Sequence, residues 1–556
     1  MEGLPAGSRG KMDEKTLTCL SDLILGVAGD RHLVATMLYG SRVAGYARKD
    51  SFYDCMAICE YPGGTRYHHA RLGDSQVSIL EIDNTLFLLD VQVGALGEFV
   101  AGRLLFPYLG LNGSDYLAQK EIAIKERVIK EETEELIRHY GEASRGLVIN
   151  PEYFALSHLL RRSRTYPPLR YSYLNTFCTA LRDRNLARIM PGYALAVKSL
   201  ITQRLLYDAA GKLSISDEFI DRTLSRKNKE AVVNVVQVTK KALSSYLMQG
   251  RAGLVSPELI SREVASRVRR ELSSRGTKPR VEDPSKYLFL NTANGLVPMD
   301  ERGTIRDIIF KIRPGSKITI APLGGVLNEV YLVTASNDKL VAKKFTDWHN
   351  FKWFTLNLVT LGTKMFSVSG KARLSNEFGM SHLLRRRGIH VPEILGVSLP
   401  NRILVEKYID GCSMVDIVRE IVGSRTARES HFEDIAQIGK NIARIHSLGI
   451  QLGDSKPENF LKDTSGKIYT IDLEQARKGK DFAWDIAEFL YYSAHYATSK
   501  NEGIRRLAES FVSGYSENGD LTHLRRAAGI SYLKVFSLWA LPQVNYAVSE
   551  TLRNST

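Results

Sequence analysis

The stretch LGDSKPENFL, residues 452–461, places an Asp, a Lys, a Pro and an Asn within six positions. A helical pattern precedes it and a strand pattern follows it, so the stretch is predicted to be a loop. Turn residues of this kind occur in many solvated loops. The spacing of Asp454, Lys456 and Asn459 also suits phosphoryl transfer, in which a carboxylate orients the attacking oxygen and an amide oxygen helps to hold Mg²⁺.

A second carboxylate follows at a useful position. The sequence KIYTIDLEQA predicts a short strand that ends in Asp472, 18 residues after Asp454. Asp472 and Asn459 are therefore the predicted Mg²⁺ ligands, because both present oxygen atoms to the metal. Asp454 is the predicted catalytic residue that orients the acceptor, and Lys456 is predicted to stabilise the transferring phosphoryl group.

Groups that bind nucleotide phosphates precede the loop in the expected order. The predicted strand KLVAKKF carries Lys343 and Lys344, and the helix after it carries Glu377. Gly324 and Gly325 lie between two predicted strands, as a loop that covers phosphates requires. Each feature is common on its own. Their joint occurrence in this order favours an ATP site over a turn-rich loop.

The sequence leaves open which lysine contacts phosphate. Strand alternation points Lys343 and Lys344 to opposite faces of the sheet. The order K-K-F favours Lys343 by likeness to archaeal relatives, whereas the A-x-K spacing of conventional kinases favours Lys344. Our interpretation favours Lys343. One of the two is expected to pair with Glu377, and the other is expected to be solvated.

Residues 310–550, approximately, resemble the protein-kinase-like superfamily, and within it the Bud32 kinases and their RIO-type relatives. The likeness is carried by VAKKFTDW, RLSNEFGMSHLLRRRGIHVPEILGV, ILVEKYIDG and ARIHSLGIQLGDSKPENF. It implies a bilobal domain with an N-lobe over about 310–411 and a C-lobe over about 412–556. It also implies a hinge from Glu406 to Gly411, which includes Tyr408 and whose backbone would hold adenine.

The chain departs from that family pattern on both sides of the motif. Leu452-Gly453 replaces the usual His-Arg or His-Gly, and the metal-binding D-F-G is Asp472-Leu473-Glu474. Asp485 follows Asp472 by only 13 residues, which leaves no room for a long activation segment. The resemblance is therefore to compact atypical kinases. Asp485 is expected either to brace the loop by hydrogen bonding or to serve as a carboxylate at a helix N-terminus.

A weaker resemblance lies near the N-terminus. LYGSRVAGYARKDSFYDCMAI, residues 38–58, is similar to the minimal nucleotidyltransferase pattern G-S-x-x-x-G followed by S-D-x-D. Gly40 and Ser41 match the pattern. Phe52 stands where the first metal-binding carboxylate would be, so only Asp54 remains.

Two-metal nucleotidyl transfer needs at least two well-placed carboxylates. Glu81 and Asp83, in the sequence QVSILEID, are candidates for a further carboxylate beside Asp54. With one ligand lost, we expect catalysis at this degenerate site to be impaired or absent. The pocket is expected to persist as a binder of nucleotide or RNA ends.

The 556 residues are too many for a single core. The predicted fold class is α+β multidomain, with a nucleotidyltransferase-like α/β domain over 1–112 and a helical domain over 113–272. Residues 273–286, SSRGTKPRVEDPSK, form the predicted linker because they are polar and interrupted by Gly and Pro. The bilobal kinase-like domain is predicted over 287–556.

The bulk composition narrows the class of protein. The formal net charge of +15 favours phosphate-bearing partners, so RNA or tRNA is a possible partner. Five dispersed cysteines argue against a disulfide framework. No apolar segment is long enough for a membrane span, and MEGLPAGSRGKMDEK lacks the apolar core of a secretory signal. We therefore expect no membrane partner and a cytoplasmic location.

The leading interpretation is an ATP- and Mg²⁺-dependent kinase that is Ser/Thr-directed by resemblance. Its acceptor is expected to be a hydroxyl of a protein or of a small molecule. One alternative is an RNA-associated ATPase or binding factor that uses the kinase fold as a switch. Another is a nucleotidyltransferase that a kinase-like domain regulates.

Overall fold

The computed structural model describes residues 13–29, 31–60, 65–165, 167–226, 281–324, 328–347, 369–423, 427–497, 502–536 and 540–555. The chain divides into two compact units. The first unit comprises Met1–Arg138 and Ile149–Leu288, and the second comprises His139–Val148 and Phe289–Thr556. Residues 227–280, which include most of the predicted linker and the end of the predicted helical domain, lie outside the described residues.

Elements through residue 226 alternate between helices and strands. The helices are α1 (Glu14–Ala28), α2 (Ser41–Ala44), α3 (Asn84–Val93), α4 (Ser114–Tyr140), α5 (Glu152–Thr165), α6 (Pro167–Thr176) and α7 (Arg182–Thr202), and residues 217–226 are also helical. The strands are β1 (His32–Tyr39), β2 (Tyr53–Glu60), β3 (Thr65–Leu72), β4 (Ser75–Asp83), β5 (Leu109–Asn112), β6 (Leu147–Ile149), β7 (Leu206–Ala209) and β8 (Lys212–Ile215).

A five-stranded mixed sheet organises the start of the first unit, with the order β3-β4-β2-β1-β5. Strands β2 and β4 are parallel, and the remaining neighbours are antiparallel. Helix α1 begins after Asp13, whose carboxylate accepts a hydrogen bond from the backbone N–H of Thr16. Leu20 and Ile24 of this helix pack against Cys55 and Ile79 of the sheet. Alternation along β2 and β4 therefore gives the sheet one face that α1 covers.

A cluster of buried charges joins α4 and α5. The two ring nitrogens of His158 lie 2.9 Å from a Glu98 carboxylate oxygen and 3.1 Å from one of Glu132. Burial opposes the charged imidazolium, but the two carboxylates raise the pKa of His158 above its ordinary value. Three guanidinium groups complete the cluster: Arg127, Arg161 and Arg162. Although burial favours its neutral form, the pKa of Glu98 is well below its usual range because Arg162 and His158 favour the carboxylate.

From residue 288 onward, the second unit consists of a hairpin, a larger sheet and a set of helices. Its strands are β9 (Leu288–Thr292), β10 (Gly295–Pro298), β11 (Ile318–Gly324), β12 (Glu329–Ala335), β13 (Asp338–Lys344), β14 (Ile394–Ser398), β15 (Ile403–Lys407), β16 (Gly411–Ser413), β17 (Ile450–Gln451), β18 (Phe460–Asp463), β19 (Ile468–Thr470) and β20 (Arg477–Lys478). Its helices are α8 (Ile305–Ile312), α9 (Gly370–Arg386), α10 (Met414–Gly423), α11 (Glu429–Ser447), α12 (Phe482–Ala494), α13 (Glu502–Ser516), α14 (Leu521–Ala527), α15 (Ile530–Phe536) and α16 (Pro542–Arg553).

The large sheet of the second unit has the order β11-β12-β13-β15-β14, with antiparallel neighbours throughout. Helix α8 covers one face of it, where Ile309 packs with Val333, Leu340 and Val405. A capping box between Thr304 and the third helical residue starts this helix. The other face of the sheet is left for α9 and the site described below.

The helical half of the second unit has a continuous apolar core. Helices α10 to α16 contribute to it, and Phe489 of α12 stacks on Phe511 of α13. Two small sheets, β16-β18-β19 and β17-β20, flank the loop that carries the D-x-K-P-x-N motif. The predicted mixed α/β, multidomain character of the chain is confirmed. In the described part of the chain, no helix combines the length and the apolar character needed to cross a membrane.

The cluster around His158 predicts how the free energy of unfolding of the first unit depends on pH. The contribution of His158 is complete below its unfolded pKa of 6.5 and is lost as the pH rises through its higher folded pKa. The contribution of Glu98 is complete above its unfolded pKa of 4.5 and is lost as the pH falls. We expect the greatest stability between these values, and a loss of about 3 kcal/mol in His158→Gln.

Denaturant titrations across this pH range, followed by hydrogen exchange in peptides from α4 and α5, measure the effect. His158→Gln should remove the decline on the alkaline side. His69→Gln, at an exposed histidine of β3, is the matched control and should keep the wild-type profile. An unchanged alkaline decline in His158→Gln would contradict the assignment.

Candidate active site

The register of β13 decides which lysine faces the site. Lys343 pairs across the ladder with Leu404, and its ammonium lies 2.8 Å from a carboxylate oxygen of Glu377 on α9. Lys344 points to the opposite face, where its ammonium lies 3.1 Å from Glu329. The side chain of Lys343 is 10% exposed and that of Lys344 is 44% exposed. The structure therefore brings Lys343, and not Lys344, together with Glu377.

Lys343 has a second acidic neighbour, Glu406, at 3.3 Å. Burial disfavours the ammonium, but Glu377, Glu406 and Asp472 outweigh that cost and raise the pKa of Lys343 well above its ordinary value. For Glu377, burial is the largest influence and raises its pKa well above the usual range. One buried ammonium thus lies among several carboxyl groups.

The segment predicted as a hinge has an unexpected inward side chain. Glu406 is the fourth residue of β15, is buried, and turns its carboxylate toward Lys343. Its second carboxylate oxygen, Oε1, is buried without a hydrogen-bond partner in the described structure. Tyr408 follows β15 as a half-buried residue, and the Lys339 ammonium lies 5.4 Å from its ring centroid. The sequence identified Glu406 but not the direction of its side chain.

The motif residues converge in the loop between β17 and β18. The Lys456 ammonium lies 3.0 Å from an Asp454 carboxylate oxygen. Burial opposes its charge, but Asp454 and then Glu488 raise the pKa of Lys456. The side-chain N–H of Asn459 donates to the backbone carbonyl of Asp454 at 2.9 Å. This bond leaves the amide oxygen of Asn459 as its remaining acceptor.

Two carboxylates of α12 hold the loop that carries Asp454, Lys456 and Asn459, which is called the catalytic loop below. The fully buried Asp485 accepts hydrogen bonds from the backbone N–H groups of Leu452, at 2.7 Å, and Gly453, at 2.9 Å. Glu488, one helical turn later, accepts the backbone N–H of Ser455 at 2.8 Å. The bracing role expected for Asp485 is confirmed. Sequence reasoning missed Glu488, although its spacing from Asp485 puts both on one helix face.

Gly453 is required by local geometry. Its φ of +82° lies in the left-handed region, and an added Cβ would stand 2.8 Å from the carbonyl oxygen of Gln475. The residue that replaces the usual Arg of the family motif therefore permits close contact between the catalytic loop and the segment after Asp472.

Asp472 has a strained backbone and an unusual carboxyl group. Its φ is +58°, which costs a non-glycine residue conformational energy and is concentrated at functional sites. Burial is the largest cause that raises the pKa of Asp472 to about 7, and Glu474 adds to it while Lys343 opposes it. The backbone N–H of Ile471 donates to the carbonyl of Asn459 at 2.9 Å, which sets the two predicted ligand residues side by side.

These residues fit a Mg²⁺ ion that arrives with a nucleotide. The Asp472 carboxylate and the Asn459 amide oxygen are hard oxygen ligands. Within the described residues, no group of three or more His, Cys, Asp or Glu side chains could hold a metal alone. In the usual nucleotide site, one or two protein oxygens share Mg²⁺ with phosphates.

The predicted phosphate-covering loop is described only at its start. Gly324 ends β11 with a φ of +113°, a conformation that glycine adopts without strain. Gly325 lies outside the described residues. Gly324 pairs with Val330 after a register shift in the ladder, at the position where the prediction places the start of the loop.

The residues predicted to form a degenerate nucleotidyltransferase site in the first unit are brought together only in part. Gly40 precedes Ser41 at the start of α2, and a Cβ on Gly40 would stand 2.5 Å from the Asp54 carboxylate. Glu81 pairs across the parallel ladder with Ala57, and Asp83 with Cys59, so both lie on the face opposite Asp54. The expectation that either could join Asp54 is therefore wrong. Register, which the sequence did not reveal, is the reason.

A sheet lysine paired with a helix glutamate, a loop with Asp and Asn, and a strand-end Asp define a protein-kinase-like site. Residues 362–488 match the family described as lipopolysaccharide kinase (Kdo/WaaP) family. This range contains Glu377, Asp454 and Asp472, whereas Lys343 precedes it. Part of the second unit is thus similar to a kinase family.

Two curated relatives are similar to part of the chain. A 3-deoxy-D-manno-octulosonic acid kinase of Vibrio parahaemolyticus serotype O3:K6 (strain RIMD 2210633) is 25% identical over 154 residues, which are 26% of this chain and 56% of that protein. The KEOPS complex subunit Bud32 of Pyrococcus abyssi (strain GE5 / Orsay) is 28% identical over 106 residues, which are 18% of this chain and 46% of that protein. The chain spans about half the length of these relatives. The predicted protein-kinase-like resemblance is confirmed, and the nucleotidyltransferase resemblance stays a prediction.

Substitution of the two lysines should separate their roles. Lys343→Met removes the buried cation and should weaken binding of ATP with Mg²⁺ by about tenfold or more, since a charged hydrogen bond contributes about 1.5–3 kcal/mol. Lys344→Met, on the opposite face, is the matched control and should change binding less than about twofold. Calorimetric titration of each folded variant measures this. Equal losses in both variants would contradict the assignment.

Loosening the catalytic loop should affect turnover more than nucleotide binding. Asp485→Asn keeps the shape of the side chain but offers one carbonyl oxygen to two backbone N–H donors, so about tenfold or more of kcat should be lost. The KM for ATP should stay within about threefold. Steady-state ATP consumption measures both constants. Glu509→Gln, at an exposed position of α13, is the control, and a change in KM alone for Asp485→Asn would count against the bracing role.

Proposed function

We propose that the second unit is an ATP- and Mg²⁺-dependent phosphotransferase that transfers the γ-phosphoryl group to a hydroxyl. The observation that carries the proposal is the buried pair of Lys343 and Glu377 in a domain that matches a kinase family. A buried ammonium held by a carboxylate is pre-positioned to receive phosphate oxygens. The Lys343 ammonium contributes to the rate only if the acceptor hydroxyl and the γ-phosphoryl group are also held in the reactive geometry.

The residues of the catalytic loop supply the remaining parts of the reaction. Asp454 orients the acceptor hydroxyl and receives its proton, while Lys456, 3.0 Å from that carboxylate, would stabilise the transferring phosphoryl group. Asn459 and Asp472 would hold Mg²⁺, which supplies positive charge to the phosphates when bound. The buried Asp485 keeps the loop from shifting as the acceptor approaches.

The acceptor is a narrower part of the proposal. The resemblance of the sequence to Bud32 and RIO-type kinases favours a Ser or Thr hydroxyl of a protein. Likeness to the Vibrio relative favours a hydroxyl of a compound such as 3-deoxy-D-manno-octulosonic acid. Residues 473–481 are the whole connection from Asp472 to α12, which leaves little backbone on which to dock a peptide. The short connection therefore favours a small-molecule acceptor over a protein.

Other expectations remain separate proposals. Contact with RNA or tRNA rests on the net charge of +15, and use of the kinase fold as an ATPase switch rests on the short connection after Asp472. In the first unit, Gly40, Ser41 and Asp54 are proposed as a nucleotide-binding remnant without transferase activity. A cytoplasmic location also stays a prediction.

Asp454→Asn tests the proposed chemistry. The variant keeps the shape of the side chain but cannot accept the hydroxyl proton, so turnover should fall by about 10²–10⁴-fold. Binding of ATP should change less than about threefold. The measurement uses γ-labelled ATP and follows label in the protein itself, in a Ser/Thr-rich protein, in 3-deoxy-D-manno-octulosonic acid and as free phosphate.

The distribution of label identifies the acceptor, and the variant identifies the catalytic residue. Asp416→Asn, at an exposed position of α10, is the matched control and should behave as the wild type. Wild-type turnover in Asp454→Asn would refute the role of this residue. Label only in free phosphate would favour the ATPase alternative.

A further inference from the structure

Three polar side chains from separate segments meet beside the candidate active site. Arg373 of α9 lies with its guanidinium 3.1 Å from a carboxylate oxygen of Glu474, and it donates to the side-chain oxygen of Asn328 at 2.6 Å. The side-chain amide of Asn328 in turn donates to Glu474 at 2.6 Å. These three residues are called the Arg373 cluster below.

The cluster is shielded from water at its charged core. The side chain of Arg373 is fully buried, and that of Glu474 is 4% exposed. The guanidinium also donates to the backbone carbonyl of Thr346, just after β13. Removing one member of a buried ion pair is strongly unfavourable, because the other charge is left uncompensated. The segments that carry Arg373 and Glu474 are therefore held in one arrangement.

Each segment of the cluster carries part of the proposed nucleotide site. Arg373 precedes Glu377 by four residues, so the two lie one turn apart on the same side of α9. Glu474 follows Asp472 by two residues. Asn328 immediately precedes β12, next to the segment predicted to cover phosphates. The cluster thus links the residue that holds Lys343 to the residue predicted to hold Mg²⁺.

A second contact strengthens the link between α9 and the segment after Asp472. The side chain of Asn376 donates to the backbone carbonyl of Glu474 at 3.0 Å. Glu474 is consequently held through both its side chain and its backbone. Glycine at this position, as in D-F-G, would offer no side chain for such a link.

We propose that the Arg373 cluster is a positioning device that sets Glu377 and Asp472 in register for nucleotide and metal binding. This inference rests on the proposed function and names how the same site is assembled. Kinases with long activation segments assemble such sites when the segment is ordered by phosphorylation. In this protein, a permanent buried ion pair assembles the site instead. Arg373, Asn328 and Glu474 are positioning residues that do not touch the substrate.

The test compares Glu474→Gln, Arg373→Met and the double variant in the full chain. Glu474→Gln keeps the size of the side chain but removes its charge. We expect the Mg²⁺ concentration for half-maximal turnover to rise about tenfold or more in each single variant, since charged hydrogen bonds of this kind contribute about 1.5–3 kcal/mol. Binding of ATP without metal should change less than about threefold, because the hinge is untouched.

The double variant distinguishes a shared role from two separate defects. If the two residues act through each other, the double variant should be no worse than the poorer single variant. If the fold increase of the double variant equals the product of the fold increases of the two single variants, the proposal is overturned. Glu393→Gln is the matched control, because it breaks an exposed ion pair with Arg385, which lies on α9 like Arg373. This variant is expected to leave the Mg²⁺ dependence unchanged.

Hydrogen exchange supplies a readout that does not depend on turnover. Amides of 472–476 and α9 should exchange faster in Glu474→Gln, while those of α11 and α16 keep wild-type protection. Uniformly faster exchange would indicate general destabilisation and overturn a positioning role, as would an unchanged pattern with unchanged Mg²⁺ dependence. A wild-type protein that neither binds nor consumes ATP would refute the proposed function, while the exchange pattern would still decide whether the cluster holds the two segments.

Discussion

The burial of the Lys343 ammonium is the constraint on which the second unit depends. A lone charge of this kind cannot leave water without a large cost, so carboxylates must meet it inside the protein. Glu377 does so from α9 and Glu406 from the neighbouring strand. Because Glu377 belongs to a helix, the ion pair also specifies where α9 lies on the sheet. The position of that helix then determines where Arg373 can reach.

The helical half of the unit uses carboxylates in a different way. Asp485 and Glu488 accept hydrogen bonds from backbone N–H groups of the loop that carries Asp454. Such bonds fix the path of the backbone, whereas the pair of Lys343 and Glu377 fixes charges. The phosphate side and the acceptor side of the site are thus held by different kinds of interaction.

The sequence revealed the parts of this site that depend on local order. Asp454, Asn459 and Asp472 could be predicted because a loop motif and a strand end place them within 18 residues of each other. Alternation showed that Lys343 and Lys344 face opposite ways, but it could not show which face α9 covers. The same limit explains the error at Glu81, whose face follows from a register that no local pattern encodes.

Contacts between distant segments were beyond such reasoning. Arg373 and Glu474 are separated by 101 residues, and Asn328 and Glu474 by 146. An arginine in a helix and a glutamate in place of a glycine each look like ordinary surface choices until the fold brings them together. The local signals were that Glu474 departs from the family motif and that Arg373 begins the stretch RLSNE, which carries the family resemblance. Where a residue with a side chain replaces a glycine of a family motif, a compensating partner for that side chain is therefore worth testing.

The balance of charge in the site finally bears on what must accompany a nucleotide. Lys343 supplies one positive charge among the carboxyl groups of Glu377, Glu406 and Asp472, and burial with Glu474 raises the pKa of Asp472 to about 7. Triphosphate oxygens brought into such surroundings add further negative charge in a region of low dielectric constant. Lys343 alone cannot balance that sum. The proposed reaction would therefore use a divalent cation that enters with the phosphates, and Asn459 and Asp472 are its proposed ligands.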